Sequence, residues 1–184
     1  FSNTLYATTN NVVTGAEVWR SPTGNLGSWE QCNVDGFGDV RNTELWVAAV
    51  FDGYLYAATA QWEAWDSDAH TGVEVWRTSD GADWSQINTD GFGDRENFAY
   101  AMAPFNSYLY LSTTNTNAGT ELWRCATCDG SDWGQVVGGN FGDSNNFGAF
   151  LLDFDNYFYA CTQNETIGAE VWRTTNGTDW NQVN

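Results

Sequence analysis

The hexapeptide GAEVWR at residues 15–20 decides the reading of this chain, because the chain says it four times. It returns as GVEVWR at 72–77, GTELWR at 119–124 and GAEVWR at 168–173. The tryptophans fall at 19, 76, 123 and 172, so the steps are 57, 47 and 49 residues. Upstream of each copy stands a second motif: LYATT (5–9), LYAAT (55–59), LYLST (109–113) and FYACT (158–162). Downstream comes a second tryptophan, at 29, 84, 133 and 180. The triplet FGD then follows at 37–39, 92–94 and 141–143. A period near 50 residues suits a propeller blade and exceeds most helical repeats.

Each repeat reads as four short strands. In the third, FAYAMAPF (98–105) is followed by a turn at Asn106-Ser107, then YLYLST (108–113), TELWR (120–124) and WGQVV (133–137). Val, Leu, Tyr, Trp, Phe and Thr dominate these runs, and Gly, Asn and Asp separate them. No capped segment has a helical period. Ala-rich runs such as WVAAVF (46–51) suit the crowded innermost strand of a blade. The expected fold is therefore an all-β propeller of four roughly 50-residue, four-stranded blades, at about 1–39, 40–94, 95–143 and 144–184. Phe1-Ser-Asn-Thr-Leu-Tyr aligns with Phe51-Asp-Gly-Tyr-Leu-Tyr, so the first blade is expected to lack its innermost strand. That makes the chain either a fragment of a larger propeller or part of an assembly, and open sheet edges invite partners and self-association. A first residue of Phe instead of Met fits a processed product or a piece of something longer.

Six arginines and no lysine stand against 24 acids, for a net charge of −18. Such a surface repels phosphate backbones and anionic lipid, which disfavours nucleic acid. No apolar run is long enough for a membrane helix, so insertion is not expected. Of the four cysteines, Cys125 and Cys128 form a lone CxxC without the second pair a zinc ribbon needs. A local disulfide across a strand-end turn is expected there; Cys32 and Cys161 are either buried thiols or a long-range bridge. The sequons at Asn164 and Asn176 permit glycosylation. Together these features suggest a secreted or cell-surface protein.

The turn before the second tryptophan reads TSDGADW at 78–84, TNGTDW at 175–180, CDGSDW at 128–133 and, loosely, SPTGNLGSW at 21–29. It resembles the Asp-box (BNR) repeat, with Thr78, Asp80, Gly81 and Trp84 as the best copy. Asn176 replaces Asp in the last copy, and the first has none. The resemblance implies a β-propeller whose boxes are structural rim turns. It does not extend to a sialidase site, which needs an arginine cluster: four of the six arginines belong to the recurrent ExWR unit.

In that unit (Glu17/Arg20, Glu74/Arg77, Glu121/Arg124, Glu170/Arg173) Glu and Arg lie three apart, on opposite strand faces. They cannot pair within a copy, so ion pairs between neighbouring blades are expected. The acidic loop has Asn33, Asp35 and Asp39 in the first repeat and Asn88, Asp90 and Asp94 in the second, where Glu96 follows. In the third only Asp143 is kept. Calcium takes six to eight oxygens, so it is the candidate cofactor of the first two loops, with backbone or water completing the shell. The alternative is an Asx-type turn with Phe37, Phe92 and Phe141 plugging between blades. An insertion at 60–72 carries Trp62, Trp65, Asp66, Asp68 and the single histidine, His70. Aromatics beside acids are what sugar sites use, although the same set would serve an interface or cap a blade edge.

No nucleophile elbow, phosphate loop or HExxH is present. The leading expectation is thus a non-enzymatic extracellular module that binds a glycan or protein ligand, or assembles, with calcium as an aid. Its rivals are a structural subunit of an extracellular polymer and part of a glycoside-acting enzyme.

Overall fold

A computed structural model describes residues 1–61, 70–115 and 117–184. Among them are four antiparallel sheets and no α-helix, so no helix is long and apolar enough to cross a membrane. The chain forms two compact units, residues 1–95 and 96–184, each holding two sheets. In the first unit, β1 (Leu5–Thr8), β2 (Val18–Ser21) and β3 (Glu30–Gln31) make a three-stranded sheet. Beside it run β4 (Glu44–Phe51), β5 (Tyr54–Ala60), β6 (Val75–Thr78) and β7 (Ser85–Gln86). The second unit contains β8 (Phe98–Phe105), β9 (Tyr108–Thr114), β10 (Glu121–Cys125) and β11 (Gly134–Val137), then β12 (Gly148–Phe154), β13 (Tyr157–Gln163), β14 (Val171–Thr174) and β15 (Asn181–Gln182). Every sheet is a meander of sequential neighbours, the blade pattern that the repeat predicts.

The innermost hairpins close by two-residue turns. Asp52-Gly53, Asn106-Ser107 and Asp155-Asn156 all have positive φ at both positions, as type I′ turns require. The second strand of each hairpin is apolar and sits between two others. Leu55 to Ala58 and Leu109 to Leu111 are buried throughout. In the first unit Ala16, Val18, Cys32, Leu45 and Ala57 form a core, with Tyr6, Phe37 and Trp84 packed on it. In the second, Phe105, Tyr110, Leu122 and Phe158 do the same.

The turn containing FGD joins one blade to the next. Phe37 adopts φ 56°, as do Phe92 and, at 57°, Phe141. A left-handed phenylalanine costs about 1–2 kcal/mol, so packing must hold it. Phe37 stacks on Trp76 at 4.6 Å and meets Trp84 edge-on at 5.5 Å. Phe141 packs likewise against Trp172 and Trp180, at 5.3 and 5.5 Å. The glycines opening the first three GxExWR units receive this turn. A Cβ on Gly15 would lie 2.7 Å from Gly36, and one on Gly72 would lie 2.6 Å from Gly91.

Three residues after each FGD stands an asparagine that fastens the turn to the next blade. Asn42 accepts from the Ala16 amide through its backbone oxygen, at 2.7 Å. Its side-chain amide donates to Gly36 O and to Glu74 Oε2, both at 2.9 Å, while its Oδ1 accepts from Gln61. Asn146 repeats every part: its O accepts from Thr120, its amide donates to Asn140 O and Glu170, and its Oδ1 accepts from Asn164. Asn97 donates to Glu121 in the same way. Each of these three glutamates also accepts the indole N–H of the tryptophan two residues on, at 3.0–3.1 Å.

The expectation of inter-blade Glu–Arg pairs is thereby corrected. Glu17, Glu74, Glu121 and Glu170 take neutral donors, since Glu and Trp at i and i+2 share a strand face and the Asn arrives beside them. The arginines lie on the other face, where Arg20 also donates to Gly81 O of the next blade at 3.3 Å. Arg20 pairs with Glu30 at 2.7 Å, while Arg77, Arg124 and Arg173 lie over the rings of Tyr54, Tyr108 and Tyr157 at 4.2–4.6 Å.

Burial pushes the Glu74 carboxyl above its ordinary value, and the bonds from Trp76 and Asn42 only partly offset this. A proton is therefore held more tightly in the folded chain than in the unfolded one. The associated stability is fully present below the unfolded value near 4.5 and is lost as pH rises through the folded value. Glu74→Gln keeps the oxygen that accepts both donors. Its stability relative to the parent, measured by urea unfolding, is expected to be about equal at pH 4 and to improve steadily toward pH 7. A variant weaker at pH 7 than at pH 4 would show that the charge itself strengthens the contact.

Candidate functional site

The acidic loops come first. Asn33 does not present its oxygen to a ligand: Oδ1 accepts the Val18 amide at 2.6 Å, and the amide nitrogen donates to Ala16 O and Val34 O. Asn88 does the same with Val75, Val73 and Thr89. Both side chains extend the ladder of the blade's third strand. Asp35 and Asp90 each accept from a glutamine, Gln31 and Gln86, at 2.6 Å. Asp39 holds Arg41 through Nε at 2.9 and 3.0 Å, and this partner keeps its carboxyl below the ordinary value. Among the described residues no three His, Cys, Asp or Glu side chains gather as a metal cluster. Asp94 and Glu96 both have interaction partners of their own.

Of the insertion, Trp62, Trp65, Asp66 and Asp68 lie outside the described residues. His70 is buried, at 6% exposure. Near this end of the blade is a group that the sequence reading missed. Glu44, 2% exposed, opens β4 opposite Ala60 and accepts from Asn10 at 3.4 Å. The same ladder position is Phe98 opposite Thr114 in the third blade and Gly148 opposite Gln163 in the fourth. A buried acid found in one blade only is not required by the repeat, and that contrast was available from the alignment of the copies.

The second unit has a cleft of about 310 Å³ at the corresponding end, where β9 and β13 finish and β12 begins. Asn115, Ser144, Asn145, Gln163, Glu165 and Thr166 line it, with Phe147 as its aromatic surface. Three features fix its shape. Tyr100 donates to Gln163 Oε1 at 2.7 Å. Asp143 accepts from the Asn145 amide and side chain and from Asn164, and these bonds, the Asn145 amide first, hold its carboxyl below the ordinary value. Asn115 Oδ1 ties down the Asn117 and Ala118 amides. Glu165, Ser144, Asn145, Gln163 and Thr166 are left exposed. The wall thus combines amides, hydroxyls and a carboxylate around one ring, a set that can bind several hydroxyls and cover one apolar face. A wider hollow of about 750 Å³ lies at the hairpin end, with Asp153, Phe154 and Asp155 in its wall.

Cys125 and Cys128 form the expected disulfide, while Cys32 and Cys161 are free thiols, the first buried and the second partly so. Burial raises the Cys32 thiol above its ordinary value. The sequon at Asn164 is closed: the residue is 7% exposed and its amide nitrogen donates to Asp143 and Asn146. Asn176 is exposed, but its amide donates to Asp179 and its Oδ1 accepts from Thr178 and Asp179.

No protein-family model matches the chain, and no curated protein matches it in sequence. Solved structures do match. An exo-β-1,3-galactanase from Phanerochaete chrysosporium is 11% identical with a TM-score of 0.59, over 100% of this chain and 48% of its own. A xylan β-1,4-xylosidase from Bacillus halodurans is 13% identical with a TM-score of 0.55, over 100% and 40%. A prolyl endopeptidase is 12% identical with a TM-score of 0.59, over 98% and 24%. The chain spans less than half the length of these proteins. At such identities the likeness establishes the fold, a partial β-propeller. It also overturns the expectation of a non-enzymatic binding or assembly module, because each of these matching propellers belongs to an enzyme and two of the three act on glycosides.

Proposed function

We propose that this chain is part of a glycoside-acting enzyme built on a β-propeller, and that it supplies saccharide-binding wall to the substrate site. The cleft lined by Gln163, Glu165, Asn145 and Phe147 carries this reading. Sugar hydroxyls pair with amides and carboxylates, and the ring's apolar face covers an aromatic. Hydrolysis of a glycoside ordinarily needs two carboxyl groups flanking the bond. The chain spans under half of the matched enzymes, so residues beyond it are expected to complete the pair. Galactan and xylan, the substrates named for two of the matches, are the first polymers to try.

Two finer readings accompany this one. The turn at 78–84 behaves as an Asp-box should, which supports that resemblance. Asp80 Oδ1 accepts the Ala82 and Asp83 amides, both at 2.9 Å, and Thr78 Oγ1 accepts that of Gly81. Secretion is supported by the Cys125–Cys128 disulfide, which persists in oxidising compartments.

The test is a panel of galacto-, xylo- and arabino-oligosaccharides titrated calorimetrically, with sugar release measured on the longest available parent protein. Binding is expected to weaken about 10-fold in Glu165→Gln and Gln163→Ala, the loss of roughly one hydrogen bond to a charged or amide partner. No binding and no released sugar across the panel would overturn the proposal.

A further inference from the structure

The notch beside the first FGD turn points to a second binding site: we propose that Phe37, Trp76, Trp84 and Asp83 take a small quaternary ammonium ion, a cation of the tetramethylammonium or choline kind. The site lies wholly within the first unit and is independent of the saccharide cleft. It is a hollow of about 200 Å³ with these four side chains in its wall, beside Asn33. That is below the roughly 300–1,000 Å³ of sites for larger ligands, so the occupant is small. Phe37 and Trp76 stack within 9° of parallel, and Trp84 stands at 72° to Phe37, so the rings make two walls of a corner. All three are only partly buried, so part of each ring meets solvent.

The polar groups decide what fits. Trp76 donates its indole N–H to Glu74 at 3.0 Å, and Trp84 donates its own to Cys32 O at 2.9 Å. Both rings are thereby fixed, and neither keeps a donor for a ligand. Asn33 is spent on Val18, Ala16 and Val34. The Asp83 carboxylate remains: it is exposed and accepts no hydrogen bond among the described residues. Three aromatic walls and one anion suit a cation that carries methyl groups in place of N–H. Sugar hydroxyls would need donors as well as acceptors, and these side chains offer no donor. An anion is repelled by Asp83 and by the net charge of −18. Arg20, which reaches this turn at Gly81 O, is itself paired with Glu30. The fourth blade carries a natural control. Phe141, Trp172 and Trp180 repeat the three rings, but Phe141 is tilted 31° from Trp172, and Asp179 already accepts from Asn176 at 2.8 Å.

The probe is tetramethylammonium chloride, titrated into the intact chain at constant ionic strength and followed at the indole N–H resonances by proton–nitrogen NMR. The uncharged control of similar shape is tert-butanol. Saturable shifts at Trp76 and Trp84 are expected at about millimolar probe, with tert-butanol bound about 10-fold more weakly. Asp83→Asn is expected to weaken tetramethylammonium binding about 5-fold, and Asp179→Asn to leave it unchanged. Should Asp83→Asn fail to fold, the comparison with tert-butanol still decides the matter. No saturable shift, shifts confined to other tryptophans, equal affinity for tert-butanol, or unchanged affinity in a folded Asp83→Asn would each overturn the proposal.

Discussion

One asparagine per repeat holds this structure together. Asn42, Asn97 and Asn146 each bring a side-chain amide to a glutamate at the start of, or just before, the third strand of the following sheet. Asn42 and Asn146 also close the preceding turn and receive a backbone amide from the sheet before it. A buried amide must have its hydrogen bonds met, and a buried carboxylate still more so. Each satisfies the other here, with the indole N–H of Trp76, Trp123 or Trp172 as third member. The FGD turn must then sit where the Asn can reach. That requirement explains why a phenylalanine is held at φ near 56° and why Gly15, Gly72 and Gly119 leave no room for a Cβ.

A scaffold fastened in this way separates what the repeat needs from what it does not. The clasp, the type I′ turns and the Tyr–Arg stacks recur, so they report on folding. Glu44, the insertion at 60–72 and the exposed wall of Gln163, Glu165 and Asn145 do not recur, so they are where function has room to differ. Glu44 and the Gln163–Glu165–Asn145 wall lie at strand ends next to FGD turns, in each unit considered by itself. Loops held by a rigid repeat are where binding groups are usually placed.

Much of the fold was legible because its signals are local. Strand runs, two-residue turns, the Asp80 turn and the Cys125–Cys128 bridge each depend on residues a few positions apart. The partner of Glu74 does not: Asn42 lies 32 positions away and comes near only through the sheet. Strand parity correctly put Glu and Arg on opposite faces, but could not supply the neighbour. The constant spacing from FGD to Asn was the available signal. Asn33 and Asn88 misled for a different reason. They were grouped with acids as oxygen ligands, whereas Asn184 holds the same place after the fourth blade's outer strand and bonds the Val171 amide identically, at 2.8 Å. An amide with the same job in a third copy marks a backbone role. The candidate cleft was unreadable because its lining comes from three separate segments of the second unit. Likewise, missing motifs argued against an enzyme, while the matching propellers named above belong to enzymes.

The direct test of the clasp is a double-mutant cycle on Asn146→Ala and Glu170→Ala, read by urea unfolding, with Asn146→Ala and Glu165→Ala as the control pair. A coupling of about 1.5–3 kcal/mol is predicted for the first pair, as for a hydrogen bond to a charged group, and near zero for the second. A coupling below about 0.5 kcal/mol between Asn146 and Glu170, within the range of additive sites, would contradict the account.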